Sequence, residues 1–93
     1  MTTHAIAMLR ITNQDSLALY REQAGAALAR HGGEVVQVSS EPKILEGAPV
    51  LPDIMALLRF PDRASAEAWR ADPELADVHA LRAGSGTSEI LLF

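Results

Sequence analysis

Ala7-Met8-Leu9-Arg10-Ile11-Thr12-Asn13 and, at a constant offset of 49, Ala56-Leu57-Leu58-Arg59-Phe60-Pro61-Asp62 are the stretches on which the fold turns. Each is an apolar run, too short for a helix, that ends in an Arg and then a helix-capping Asn or Asp. The same offset pairs Ser16 with Ser65, Tyr20 with Trp69 and Arg21 with Arg70. Over fifteen aligned positions five residues are identical and four more are close in kind. The chain therefore reads as two similar strand–helix–strand halves.

Working outward, residues 4 to 11 form a first strand, and Asn13 to Ser16 cap a helix that runs to about His31. Its apolar stripe is Leu17, Tyr20, Ala24, Ala27, Leu28 and His31, recurring at three- and four-residue steps. Gly32-Gly33 stops it, since glycine accepts the left-handed conformation of a helix end. Val35 to Ser40 is a second strand, and a loop punctuated by Pro42, Gly47, Pro49 and Pro52 follows. Residues 53 to 60 make a third strand, and Asp62 caps a helix carrying Ala64, Ala68 and Trp69. Asp72-Pro73-Glu74 restarts that helix, with an N-cap acid, a first-turn Pro and a second acid. It runs to about Ala83, Gly84-Ser85-Gly86 ends it, and Ser88 to Phe93 is a fourth strand. The order β-α-β-β-α-β predicts an α+β, ferredoxin-like sandwich over residues 1 to 93 as one domain. It consists of a four-stranded antiparallel sheet with its helices on one face.

Two helices cover one face of such a sheet, so the strands should alternate apolar with polar. They do not. The first strand puts Ala5, Ala7, Leu9 and Ile11 on one face, yet Ile6 and Met8 on the other. The third sets Ile54, Ala56, Leu58 and Phe60 against Met55 and Leu57, and the last sets Ile90 and Leu92 against Leu91 and Phe93. Exposed, the second set would form an apolar patch larger than the roughly 300–600 Å² of a typical monomer. Homodimerisation through this face is the expectation. The competing reading covers it with the loop 41 to 52. Arg10 and Arg59 share the phase of this face and would rim the interface or point into a cavity beside it.

Ninety-three residues without a single Cys exclude disulfides as a source of stability. They also argue against a structural zinc site, since only His4, His31 and His79 offer nitrogen, at scattered positions. A net charge of −4 argues against nucleic acid, which requires a basic face. No stretch approaches the ~20 apolar residues of a membrane span. The first residues lack the pattern of a signal peptide, so a cytoplasmic location is expected.

The order and spacing of His31-Gly32-Gly33, Leu45-Glu46-Gly47, Phe60-Pro61-Asp62, Trp69, Asp72-Pro73-Glu74 and Leu81-Arg82 resemble the bacterial family called domain of unknown function 1330. The resemblance runs from about residue 4 to 92. It implies a dimeric α+β barrel, in which two ferredoxin-like subunits pack through their sheets. The superfamily includes cofactor-independent monooxygenases, isomerases, haem-degrading enzymes and non-catalytic ligand binders, so fold does not decide function. The family more often has an aromatic beside the helix Trp and near the Pro, where this chain carries Arg70 and Leu75.

The residues suited to chemistry are few. His79, Arg82 and Ser85 recur at steps of three, with His79 a candidate proton donor or acceptor. Arg82 would hold a carboxylate or enolate oxygen through its fork of donors, or else pair with Glu89. Glu46, Arg10, Arg59, Trp69 and Tyr20 are candidate ligand contacts, with Trp69 and Tyr20 also fitting as core. His31 fits the negative end of its helix. Gly84-Ser85-Gly86 lacks the helix and Lys of a phosphate loop, and no Ser lies in a nucleophile elbow. No cofactor or metal is called for. The two functional expectations are binding of a small organic ligand between sheet and helices, and cofactor-independent catalysis on a small organic acid.

Overall fold

The computed structural model describes all 93 residues. Its elements are β1 (Thr3–Ile11), α1 (Gln14–Ala29), β2 (Glu34–Ser39), β3 (Ile54–Phe60), α2 (Arg63–Ala71), α3 (Ala76–Gly84) and β4 (Gly86–Leu92). The sheet order is β2-β3-β1-β4, and every neighbouring pair is antiparallel. This is the ferredoxin-like plan: each half is a strand, a crossover helix and a second strand, and the halves interleave in one sheet.

The internal repeat is visible in hydrogen bonds. Asn13 Oδ1 accepts from the Ser16 amide at 3.0 Å, and Asp62 Oδ1 accepts from the Ser65 amide at 2.7 Å. Both caps satisfy an amide that the first turn of a helix otherwise leaves unpaired. The Ser65 amide also holds the Asp62 carboxyl below its ordinary value. α1 ends two residues before His31, with Gly32 at φ 73° and the Gly33 amide donating to the Leu28 carbonyl at 2.8 Å. The second helical segment is broken more sharply than its sequence suggests. Asp72 caps a single 3-10 turn, Pro73–Leu75, before α3 begins, because Pro73 lacks the amide that would continue α2.

On the helix-covered face, Ala5, Ala7, Leu9, Leu58 and Phe60 are buried, and Ile90 and Leu92 are half-buried beside them. Leu28, Trp69, Leu75 and Val78 close over this face from the helices. Three small residues lie side by side in its centre: Ala7 pairs with Ala56, and Ala5 is two positions away along β1. They leave room between the layers.

The other face carries an apolar band. Leu57, Ile6 and Leu91 form one row across β3, β1 and β4, and Met55 and Met8 continue it in the next. Leu91 and Phe93 are 64% and 67% exposed, so the loop between β2 and β3 leaves the band open. That loop is tied to β1 at its end, where the Asp53 amide donates to the Leu9 carbonyl and Asp53 Oδ2 accepts from the Ile11 amide.

β2 is an edge strand, exposed through Val38, with a register shift between Val35 and Gln37. At the other edge, Gly86 has φ 148°, and a Cβ there would stand 1.9 Å from the Arg10 carbonyl oxygen. Only glycine permits β4 to approach β1 so closely at its start. No helix is long and apolar enough to cross a membrane.

Candidate functional site

Two chambers lie between the sheet and the helices. One, of about 350 Å³, opens between β4 and the α2–α3 segment and includes Glu67, Arg70, His79 and Ser88 in its wall. The other, of about 330 Å³, lies under α1 and is lined by residues such as Leu17, Leu28, Leu58, Val35 and Val38. Trp69, Arg82 and Ile90 belong to both walls, so Arg82 stands where the chambers adjoin.

Arg82 is 3% exposed. Its Nε donates to Ser88 Oγ at 3.1 Å, and its Nη1 donates to His79 Nδ1 at 2.9 Å. Its Cζ lies 5.6 Å from the centroid of the Tyr20 ring and 5.3 Å from that of Trp69, within cation–π range of both. These two rings occupy equivalent places in the internal repeat. The chain's ion pairs join Arg30 to Asp72 and Glu74, His31 to Asp72, and Arg59 to Glu34. Arg82 therefore has no carboxylate partner, and Glu89 lies on the opposite sheet face, paired in register with Met8.

His79 is 6% exposed. Its Nε2 is 2.9 Å from the Trp69 carbonyl, which can only accept, so Nε2 carries the proton. Nδ1 is then the acceptor for Arg82, and both ring nitrogens are engaged in the neutral form. Burial pushes the His79 pKa below its ordinary value, against the Trp69 hydrogen bond, and the neighbouring charges of Arg82 and Arg70 lower it further. Trp69 itself is 3% exposed, stacks edge-on with His79 at 4.9 Å, and has a buried indole Nε1 with no acceptor.

His79, Arg82, Trp69 and Tyr20 thus come together as one cluster. Arg10, Arg59 and Glu46 do not join it. The two-residue pleat turns Arg10 and Arg59 to the open face, where Arg59 pairs with Glu34 and Arg10 lies beside Thr87 and Glu89. Glu46 is exposed in the loop and lines neither chamber. Ser85 is fully buried and structural: its hydroxyl donates to the Arg82 carbonyl, and its own carbonyl accepts from the Thr12 and Asn13 amides. His31 Nε2 lies 2.8 Å from Asp72 Oδ2. Ser88 and the alanine floor escaped the sequence reading. The signal for the floor was the placing of Ala5, Ala7 and Ala56 in one strand phase, where larger residues would have filled the core.

The model of the family Domain of unknown function (DUF1330) matches residues 2–93. The chain belongs to the DUF1330 family. No curated protein matches it. Among solved structures, this DUF1330 domain is similar to RPA0582 of Rhodopseudomonas palustris, a protein of unknown function. The two share 19% identity at a TM-score of 0.80, over 99% of this chain and 80% of that one. A dimeric ferredoxin-like protein of unknown function from Jannaschia sp. aligns over 100% of this chain and 98% of its own, at 13% identity and a TM-score of 0.71. SnoaB of Streptomyces nogalater, a cofactor-independent oxygenase, aligns over 99% and 89%, at 15% identity and a TM-score of 0.65. At these identities the likeness is one of fold. The two family departures fall in different places, since Arg70 lines a chamber and Leu75 is buried core.

Proposed function

We propose that this DUF1330 domain binds a small organic acid between its sheet and helices, with Arg82 as the anchor, and that it works as a homodimer. One observation carries the binding reading: a buried guanidinium whose protein partners are a serine hydroxyl, a neutral histidine and two aromatic faces. A buried cation without a counter-charge is costly, and an anionic ligand removes that cost. His79 is a positioning residue in this reading. It offers a lone pair to Arg82 and fixes the fork of donors, leaving Nη2 without a protein hydrogen bond.

Catalysis on the same acid, as an isomerase or in the manner of the cofactor-independent oxygenase SnoaB, is the second reading, and the likeness in fold favours it. It is the weaker of the two, because a proton shuttle at His79 must first break its bond to Arg82 or to the Trp69 carbonyl. The dimer reading rests on the open apolar band and on the dimeric Jannaschia relative.

Thermal shift against small carboxylates tests the binding reading. Carboxylates should raise the melting temperature where their amides do not, and Arg82→Gln should abolish the shift. At a hundredfold excess over Kd the stabilisation expected is about 2.7 kcal/mol. Equal shifts in the wild type and a folded Arg82→Gln variant would overturn it.

A further inference from the structure

Resting on the reading of Arg82 as an anion anchor, we infer that the ligand is an apolar monocarboxylic acid. Its hydrocarbon or aromatic body lies in the chamber under α1, and its carboxylate meets Arg82 and the indole N–H of Trp69.

The two chambers differ in chemistry. The chamber beside α2 and α3 carries Glu67 in its wall, together with Ser88, His79 and Arg70. A carboxylate there faces Glu67 set against Arg70, and an apolar body shares the wall with more polar side chains than under α1. The wall under α1 carries no acid at all. Its only charged side chains are Arg21 and Arg82, and the remainder is aliphatic, apart from Tyr20, Trp69 and Gly25. An anion with an apolar body suits that wall at both ends. At about 330 Å³ the chamber falls in the size class of small-molecule sites.

The head of the ligand is specified by two donors that the protein leaves unpaired, Nη2 of Arg82 and Nε1 of Trp69. Arg82 uses Nε and Nη1 within the protein, and neither bond is to an anion. Trp69 Nε1 is the one buried side-chain polar atom in the chain without a partner. A buried donor left unpaired costs about 1–3 kcal/mol, so its persistence beside a cation calls for an acceptor from outside the chain. A carboxylate offers two oxygens, one for each donor. A dicarboxylate brings a second charge for which the wall under α1 offers only Arg21, an exposed residue whose charge solvent already satisfies.

Trp69 is the chain's single tryptophan, so its emission reports on the site directly. Titrations with butyrate, hexanoate, succinate and hexan-1-ol are compared in the intact protein. Hexanoate is expected to bind about tenfold more tightly than butyrate, the gain from two more buried methylenes. It should also exceed succinate and hexan-1-ol by at least about tenfold, the former lacking the body and the latter the charge. Ala24→Leu narrows the chamber under α1 and should weaken hexanoate by about tenfold or more, whereas Ala83→Leu, in the other wall, should change it by less than about twofold. If succinate matches hexanoate, or if Ala83→Leu weakens binding and Ala24→Leu does not, the chamber and ligand class assigned here are wrong while the anion anchor stands. If hexan-1-ol matches hexanoate, or if no acid perturbs Trp69, the anchor fails as well. The comparison among the four ligands decides the matter even where a variant does not fold.

Discussion

His79 illustrates how one tautomer governs a site. Its proton faces the Trp69 carbonyl and its lone pair faces Arg82, so protonation destroys an acceptor and sets a second cation beside the first. The folded state therefore favours the neutral ring, and its pKa lies below the unfolded value of about 6.5. The sign of the linkage follows. Between the two pKa values the unfolded chain binds the extra proton, so the contribution is present in full above about pH 6.5 and is lost as pH falls through the folded pKa. Thermal denaturation from pH 7.5 to pH 5 should show a melting temperature that declines on the acid side in the wild type. His79→Gln retains a donor and an acceptor but cannot titrate, and its decline should be shallower. Parallel curves would mean that His79 is not buried as described. At this scale the sequence was partly legible. The step of three that joins His79 to Arg82 was visible, but the burial that removes His79 from solvent arises from α3 packing on Trp69, which no local pattern reveals.

Elements, by contrast, were set largely by their ends. Asn13 and Asp62 start α1 and α2 with the same side-chain bond, and Gly32 stops α1 with a left-handed backbone. Asn13→Ala should cost about 1 kcal/mol, measured by chemical denaturation, with the slope against denaturant unchanged. An unchanged midpoint would show that the cap carries no weight. The 3-10 turn at Pro73–Leu75 was foreshadowed by Asp72-Pro73-Glu74, yet its second task was not. Asp72 and Glu74 receive Arg30 and His31 from the end of α1, tying the first half of the repeat to the second. Nothing in either segment alone announces that cross-link, because it exists only once the two halves interleave. The positions of Arg10 and Arg59 show the reverse case. Strand periodicity placed them on the open face, and the structure leaves them there, apart from the cluster around Arg82.

For the whole molecule, the decisive feature is a sheet that is apolar on both sides and covered on one. Leu91→Glu sets a charge at the β4 side of the open band while leaving the helix-covered face untouched. In the dimer reading it should convert a particle of about twice the 10.0 kDa chain mass into a monomer, as measured by light scattering. A wild-type mass near that of one chain in dilute buffer would sink the reading. The two-sided pattern was legible because the strand period of two is strict. The chambers were not, since a cavity is the absence of side chains from a place that only the packed layers define.

The pairing of β1 with β4, in which Ala5 lies opposite Leu92, has a consequence for biosynthesis. The first of the sheet's four strands to be synthesised holds a central place, and one of its neighbours is the last of the four. Until residues 86 to 92 emerge, β1 has one open edge and the helix-covered core lacks Ile90 and Leu92 along one side. Closure of the sheet therefore waits for its last strand, and β1 keeps an unpaired edge until β4 lies against it.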